Sequence, residues 1–183
     1  MNPECPYLNV AALQDALDAE RIARRMTWAA LAREVHISVP SLRQMAQREQ
    51  LEADAIVLIL QWLKRRCDDF VVRPSGDAGR PVGSHSAPGV PPLFARFDTI
   101  ALHTALDSAR ERRGLTWNDV AAELGVSTWV IARFTKGGRT NANLMVAVAD
   151  WAGQPVEALL QPSTPFLGPA RMDARARLLD HPI

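Results

Sequence analysis

Lysine is nearly missing from this chain. Lys64 and Lys136 are the only two, so arginine carries almost all of the positive charge. Twenty-one basic residues stand against twenty acidic ones, for a formal net charge of +1. A bulk electrostatic pull onto nucleic acid is therefore excluded, and any such attraction has to be local. Cysteine is also scarce. Cys5 and Cys67 are too few for a disulfide framework, and neither has a second Cys or His at zinc-finger spacing. They read as unpaired thiols of a reducing cytoplasm. The four histidines, His36, His85, His103 and His181, form no spaced cluster with Cys, Asp or Glu. No metal, cofactor or small-molecule ligand is expected, and no enzyme. The Gly-rich stretch "KGGR" at 136–139 follows helical periodicity rather than a strand, which sets it apart from a phosphate-binding loop. No apolar run approaches the ~20 residues of a membrane span. "AIVLIL" at 55–60 is long enough only for a buried helix. The stretch "MNPECPYLNV" lacks the basic-then-apolar order of a signal peptide. The expectation is a soluble, cytoplasmic protein without a membrane partner.

What is present is a repeat. Shifted by 89 residues, "ALQDALDAERIARRMTWAALAREVHIS" (12–38) falls on "ALHTALDSARERRGLTWNDVAAELGVS" (101–127). Leu13/Leu102, Leu17/Leu106, Thr27-Trp28/Thr116-Trp117, Glu34/Glu123 and Ser38/Ser127 coincide, and the register holds without a gap to Trp62/Trp151. Two copies of one small fold are expected. Between them, "RPSGDAGRPVGSHSAPGVPP" (73–92) holds five Pro, four Gly and three Ser. Such a composition builds no core and reads as a linker. With 48% apolar residues the rest of the chain has ample material for one.

Each copy reads as helical throughout, with no alternation of the kind a strand shows. In copy two, Leu102, Ala105, Leu106 and Ala109 make helix one amphipathic, and Gly114 stops it. Thr116 with Asp119 three residues on resembles a capping box opening helix two, whose stripe is Trp117, Val120, Ala121 and Leu124. Gly125 ends it in the left-handed conformation that Gly tolerates best. Ser127 caps helix three, with Val130, Ile131 and Phe134 inward. Thr140 or Asn141 caps helix four, which carries Leu144, Met145, Val148 and Trp151, and "VEALL" makes a short fifth helix. Pro169 suits the first turn of one more helix in the tail. The domain plan is therefore 9–72, a diverged first copy; 73–94, linker; 95–162, second copy; and 163–183, tail with a short helix. The fold class is all-α, with two small domains of four to five helices.

A helix, then Gly-Val, then a Ser-capped helix is helix-turn-helix spacing, which presents the second helix outward for a major groove. "GLTWNDVAAELGVSTWVIARFTKGGRTNANLMVAVADWAG" (114–153) resembles the helix-turn-helix domains of the Cro and lambda-repressor class, the XRE type. The resemblance rests on Gly114-Leu115-Thr116, Val120-Ala121, Gly125-Val126-Ser127 and Ile131-Ala132-Arg133-Phe134 followed by Gly137. It covers roughly 98–160, and 9–66 through the repeat. One departure stands out. The family's phosphate-binding Gln after the Thr of helix two is Trp117 here and Trp28 in copy one. An indole donates a single hydrogen bond, so both tryptophans read as packing residues.

Residues three, four and seven apart share a side of a helix. Trp129, Ala132, Arg133 and Lys136 thus fall together, opposite Val130, Ile131 and Phe134. The resemblance implies that Thr128, Trp129 and Arg133 meet base edges, Arg133 by the bidentate pairing that arginine makes with guanine. Around them Ser127, Lys136, Arg139, Thr140 and Asn141 suit phosphates. Copy one lacks the turn glycine and reads His36-Ile37-Ser38. Its outward face is Pro40, Arg43, Gln44 and Gln47, with Arg43 and Gln44 placed for bases and Ser38 and Arg48 for phosphates. Residues 38–50 carry a net +1 against +3 for 127–139, which makes copy two the stronger reader. The implied function is a sequence-specific DNA-binding transcriptional regulator, a repressor, whose partner is double-stranded DNA. It would act as an intramolecular pseudo-dimer or as a homodimer. About 25 linker residues at roughly 5–6 Å × √n reach about 25–30 Å, near the ~34 Å between half-sites. The alternative is a protein-interaction module, antitoxin-like or adaptor, with the first domain a degenerate copy that does not bind DNA.

Overall fold

The computed structural model describes residues 2–47, 51–74 and 95–162. Most of the 73–94 linker, the 163–183 tail with its expected helix, Arg48, His85 and His181 lie outside the described residues. The first half runs β1 (Tyr7–Leu8), α1 (Val10–Ala23), α2 (Trp28–Val35), α3 (Val39–Arg43), a 3₁₀ turn (Met45–Gln47), α4 (Ala53–Leu63), a second 3₁₀ turn (Cys67–Phe70) and β2 (Val71–Val72). The second half repeats the order: β3 (Ala95–Phe97), α5 (Thr99–Arg113), α6 (Trp117–Leu124), α7 (Thr128–Ala132), a 3₁₀ turn (Arg133–Lys136), α8 (Ala142–Ala152), a 3₁₀ turn (Val156–Leu159) and β4 (Leu160–Pro162).

The strands depart from the all-helical expectation. Each half closes on itself through a two-stranded antiparallel ribbon, Leu8 opposite Val71 in one and Phe97 opposite Leu160 in the other. At two or three residues these strands are too short for alternation to register in the sequence. "VEAL" forms a 3₁₀ turn rather than an α-helix.

The helix ends follow local chemistry. The Asn9 and Asp98 side chains accept backbone N–H groups in the first turns of α1 and α5. The Thr116 hydroxyl accepts the Asp119 N–H while the Asp119 carboxylate accepts the Thr116 N–H at 2.8 Å and its hydroxyl at 2.6 Å, a complete capping box. Those bonds hold the exposed Asp119 carboxyl below the usual carboxylate range, the Thr116 hydroxyl contributing most. A carboxyl whose folded pKa is depressed stabilises the fold above its unfolded value, ~4, and loses that effect as pH falls through the folded value. We therefore expect the melting temperatures of wild type and Asp119→Asn to differ at pH 7 and to converge as pH drops below about 4. Thr116→Ala removes the cap itself and is expected to cost about 1 kcal/mol in a denaturant titration.

The two halves share one continuous apolar core. Residues on every side of α8 are buried: Ala142, Leu144 through Ala149, and Ala152. Helix α4 buries Ala53, Ile56, Val57, Ile59 and Leu60. A helix that is apolar all round has to be covered all round, and α4 and α8 cover one another where the halves meet. The polar contacts at this junction are reciprocal under the 89-residue shift. The Ala53 N–H donates to the Thr140 carbonyl at 3.0 Å and the Ala142 N–H to the Leu51 carbonyl at 2.7 Å. The Leu8 N–H donates to Asn143 Oδ1 at 3.1 Å and the Phe97 N–H to Asp54 Oδ1 at 3.0 Å. Glu52 and Asn141, themselves 89 apart, bridge each other. Reciprocal i-to-j and j-to-i contacts are the mark of a two-fold interface. An approximate two-fold axis therefore passes between Glu52 and Asn141.

The symmetry is broken at the rim. The Cys67 N–H donates to Glu157 Oε1 at 2.8 Å, and Arg73 pairs with Asp150 at 3.1 Å. Both cysteines are free thiols. Burial, aided by Glu157 and Asp68, pushes the Cys67 thiol up to about 12. It stays protonated, and so unreactive, across the physiological range.

Candidate nucleic-acid interface

Helix α6 ends at Gly125, whose φ of 64° lies in the left-handed region. That reversal lets Val126 tuck against the core, with Ser127 next at the cap position and α7 starting at Thr128. In the first half His36 takes the same role at φ 54°, a conformation that costs a side-chain-bearing residue more than it costs Gly. Ser127 occupies the cap position of α7, but its side chain makes no capping bond. Its equivalent Ser38 does cap, accepting the Ser41 N–H at 3.3 Å.

The inner side of α7 and its 3₁₀ extension buries Ile131 and Phe134, with Val130 half-buried against the core. In the first half Leu42 and Met45 are buried at the matching positions. The outer side exposes Thr128, Trp129, Ala132, Arg133 and Lys136. Trp129 is 66% exposed, the most exposed large apolar side chain among the described residues. The Arg133 guanidinium lies over its ring, 5.1 Å from the centroid. Among the described residues no carboxylate pairs with Arg133 or Lys136. The cation is thus steadied by an aromatic face, with its hydrogen-bond donors left for a partner. At the end of this segment Gly138 is obligatory, because a Cβ there would sit 2.9 Å from the Arg133 carbonyl oxygen.

Three of the expected phosphate-binding positions also have places in the fold, Asn141 as the cap of the fourth helix that the sequence offered. Thr140 is buried, at 7% exposure, and its carbonyl joins the two halves. Asn141 caps α8 by accepting the Leu144 N–H at 2.8 Å. Both belong to the junction because the loop after α7 dives straight to the pseudo-two-fold axis. Arg139 is exposed, but it pairs across the junction with Glu52 at 3.2 Å. Glu52 is the residue the sequence reading missed, and the repeat held the signal: the shift sets it against Asn141, beside the basic loop. An exposed pair of this kind contributes ~0–1 kcal/mol to stability, but its carboxylate both neutralises Arg139 and repels phosphate. Glu52→Gln is expected to tighten duplex DNA binding about two- to five-fold at low salt, with the melting temperature nearly unchanged; fluorescence anisotropy reads the first and calorimetry the second.

In the first half Pro40, Arg43, Gln44 and Gln47 are all exposed, along α3, its C-cap and the 3₁₀ turn that follows. The side chain of Gln14 braces this segment, donating to the Arg43 carbonyl at 3.1 Å and accepting the Ala46 N–H at 2.7 Å. Trp28 and Trp117 are half-buried packing residues, each under an arginine of the preceding helix: Arg21 at 4.7 Å and Arg110 at 5.0 Å. Trp117 also stacks on His103 at 5.0 Å. Trp62 and Trp151 donate their indole N–H groups to Glu34 and Glu123, both at 2.7 Å. Among the five tryptophans, Trp129 alone turns away from the protein.

A family model described as helix-turn-helix matches residues 106–149. Over that segment the chain is similar to helix-turn-helix domains. The match runs from the middle of α5 to near the end of α8, so it takes in α6, the Gly125 turn and α7 complete. No curated protein and no solved structure matches the chain. The matched segment thus lies in the half whose outer face carries Trp129, Arg133 and Lys136, and DNA binding is the activity the match suggests. Among the described residues no helix is long and apolar enough to cross a membrane.

Proposed function

We propose that this chain is a sequence-specific regulator of transcription, a repressor, that lays α7 in the major groove of double-stranded DNA. The observation that carries the reading is the acid-free outer face of α7 and its 3₁₀ extension, where Trp129 and Arg133 stack in the open beside Lys136. Arg133 is the base reader, its fork matching guanine O6 and N7, while Trp129 supplies apolar contact to a thymine methyl. Thr128 stands at the first turn, where helices of this kind meet base edges. Ser127, with an uncommitted hydroxyl, and Lys136 hold the flanking phosphates. The reading extends to the first half as a second, diverged helix-turn-helix domain, with α3 as its reading helix. The reciprocal junction supports this, because it sets α3 and α7 in equivalent positions about one axis. A second reading has one observation behind it: the outer face of α3 has Pro40 and Gln44 where α7 has Trp129 and Arg133. On that reading α3 contacts protein, not DNA.

The test is equilibrium binding to a mixed-sequence duplex over a series of salt concentrations. Phosphate contacts release counterions, so log K should fall linearly with log salt, at about −0.9 for each phosphate that a Lys or Arg neutralises. Absence of measurable affinity at low salt would reject the proposal.

A further inference from the structure

We infer that one chain, without a second copy, reads a duplex made of two unlike half-sites. This rests on the DNA-binding reading above and adds the form of the ligand. Two observations carry it. The first is the junction. Its reciprocal hydrogen bonds and shared core fix the halves as the two subunits of a symmetric dimer would be fixed, but within one chain. Each reading segment ends five residues before the axis, at Lys136 before Asn141 and at Gln47 before Glu52. Five extended residues span at most ~18 Å. With ~5 Å across the Glu52–Asn141 bridge, the two segment ends lie at most ~41 Å apart, a bound that leaves room for the ~34 Å between major-groove half-sites one turn apart. At this junction each half is already covered by the other half of the same chain.

The second observation is that symmetric positions carry different chemistry. Arg133, just after α7, corresponds to Gln44, just after α3, Trp129 to Pro40, Lys136 to Gln47 and Ala132 to Arg43, and all eight are exposed. Arginine pairs bidentately with guanine, and glutamine with adenine N6 and N7. A symmetric backbone carrying Arg133 on one side and Gln44 on the other therefore selects guanine in one half-site and adenine at the mirrored position of the other. The predicted ligand is a bipartite, non-palindromic duplex of about two turns, bound by one chain.

Selection of bound duplexes from a random pool by the full chain, with sedimentation of the complex for stoichiometry, tests this. The expected motif has two half-sites with guanine and adenine at mirrored positions, one chain per duplex. Gln44→Ala should weaken the selected duplex about 5- to 150-fold. Selection with Arg133→Gln should replace the guanine by adenine and make that position palindromic. A palindromic motif bound by two wild-type chains would overturn the inference while leaving DNA binding intact. A single half-site insensitive to Gln44→Ala would do the same. No enrichment at all, with no low-salt affinity, would remove the DNA-binding reading and this inference together.

Discussion

Arg133→Ala is expected to lower affinity for the selected duplex about 5- to 150-fold while leaving the melting temperature within a degree or two. The range follows from the ~1–3 kcal/mol of discrimination that a bidentate arginine–guanine pair contributes. The unchanged stability follows from placement, since Arg133 is exposed, has no carboxylate partner among the described residues and touches the fold mainly through the equally exposed Trp129. The loss should be specific. Affinity for unrelated duplexes, which phosphate contacts dominate, should fall far less, so the ratio of specific to non-specific binding collapses. Lys136→Ala is the contrasting variant, weakening both by similar factors and shallowing the salt slope by about one. Competition anisotropy with specific and scrambled duplexes separates the two. Equal losses on both duplexes for Arg133→Ala would show that it binds phosphate rather than a base.

One residue further on, the expected result reverses. Phe134→Ala should lower stability by about 3–5 kcal/mol, the usual range for emptying a large aromatic site in a core. Phe134 is 2% exposed and among the largest fully buried side chains. Against a total of ~5–15 kcal/mol the loss is large, and for a chain of this size it corresponds to about 6–20 °C in melting temperature. Because both halves contribute to one core, calorimetry should show a single transition that moves as a whole. Two transitions, with the first half's unmoved, would mean that the halves fold independently. Phe134→Leu, which keeps most of the volume, should recover most of the stability and DNA binding with it. Neighbouring residues on one short helix thus separate affinity from stability, as expected when one side faces the partner and the other the core.

Much of this was legible in the residues. The 89-residue shift matched two halves whose elements follow in the same order, and helical spacing separated Arg133 from Phe134 and Trp129 from Ile131. Thr116 with Asp119 announced a capping box that the structure contains. Trp28 and Trp117, too poor in donors for a phosphate site, are packed under arginines. What escaped lies between the copies. The ribbons were invisible because two or three residues cannot display a period. Thr140 and Asn141 resemble polar loop residues, and only the fold shows that their loop runs to the axis. Asp54 and Asn143, which clamp β3 and β1 in mirrored fashion, sit on apolar helices where nothing local marks them. The linker composition suggested a loose tether between independent units. The shared core makes the halves one body, a consequence of apolar faces on α4 and α8 that are too broad for either half to cover alone.

The most direct measurement follows the indole N–H resonances of the five tryptophans by NMR as a duplex is added. Trp62 and Trp151 are held by Glu34 and Glu123, and Trp28 and Trp117 are packed against the fold. Trp129 points into solvent on the proposed reading face. Binding through α7 should shift or broaden the Trp129 indole strongly, together with the backbone amides of residues 127–138, and leave the other four indoles nearly in place. A duplex that binds while the Trp129 signal stays fixed would show that DNA meets another surface and that α7 is not the reader.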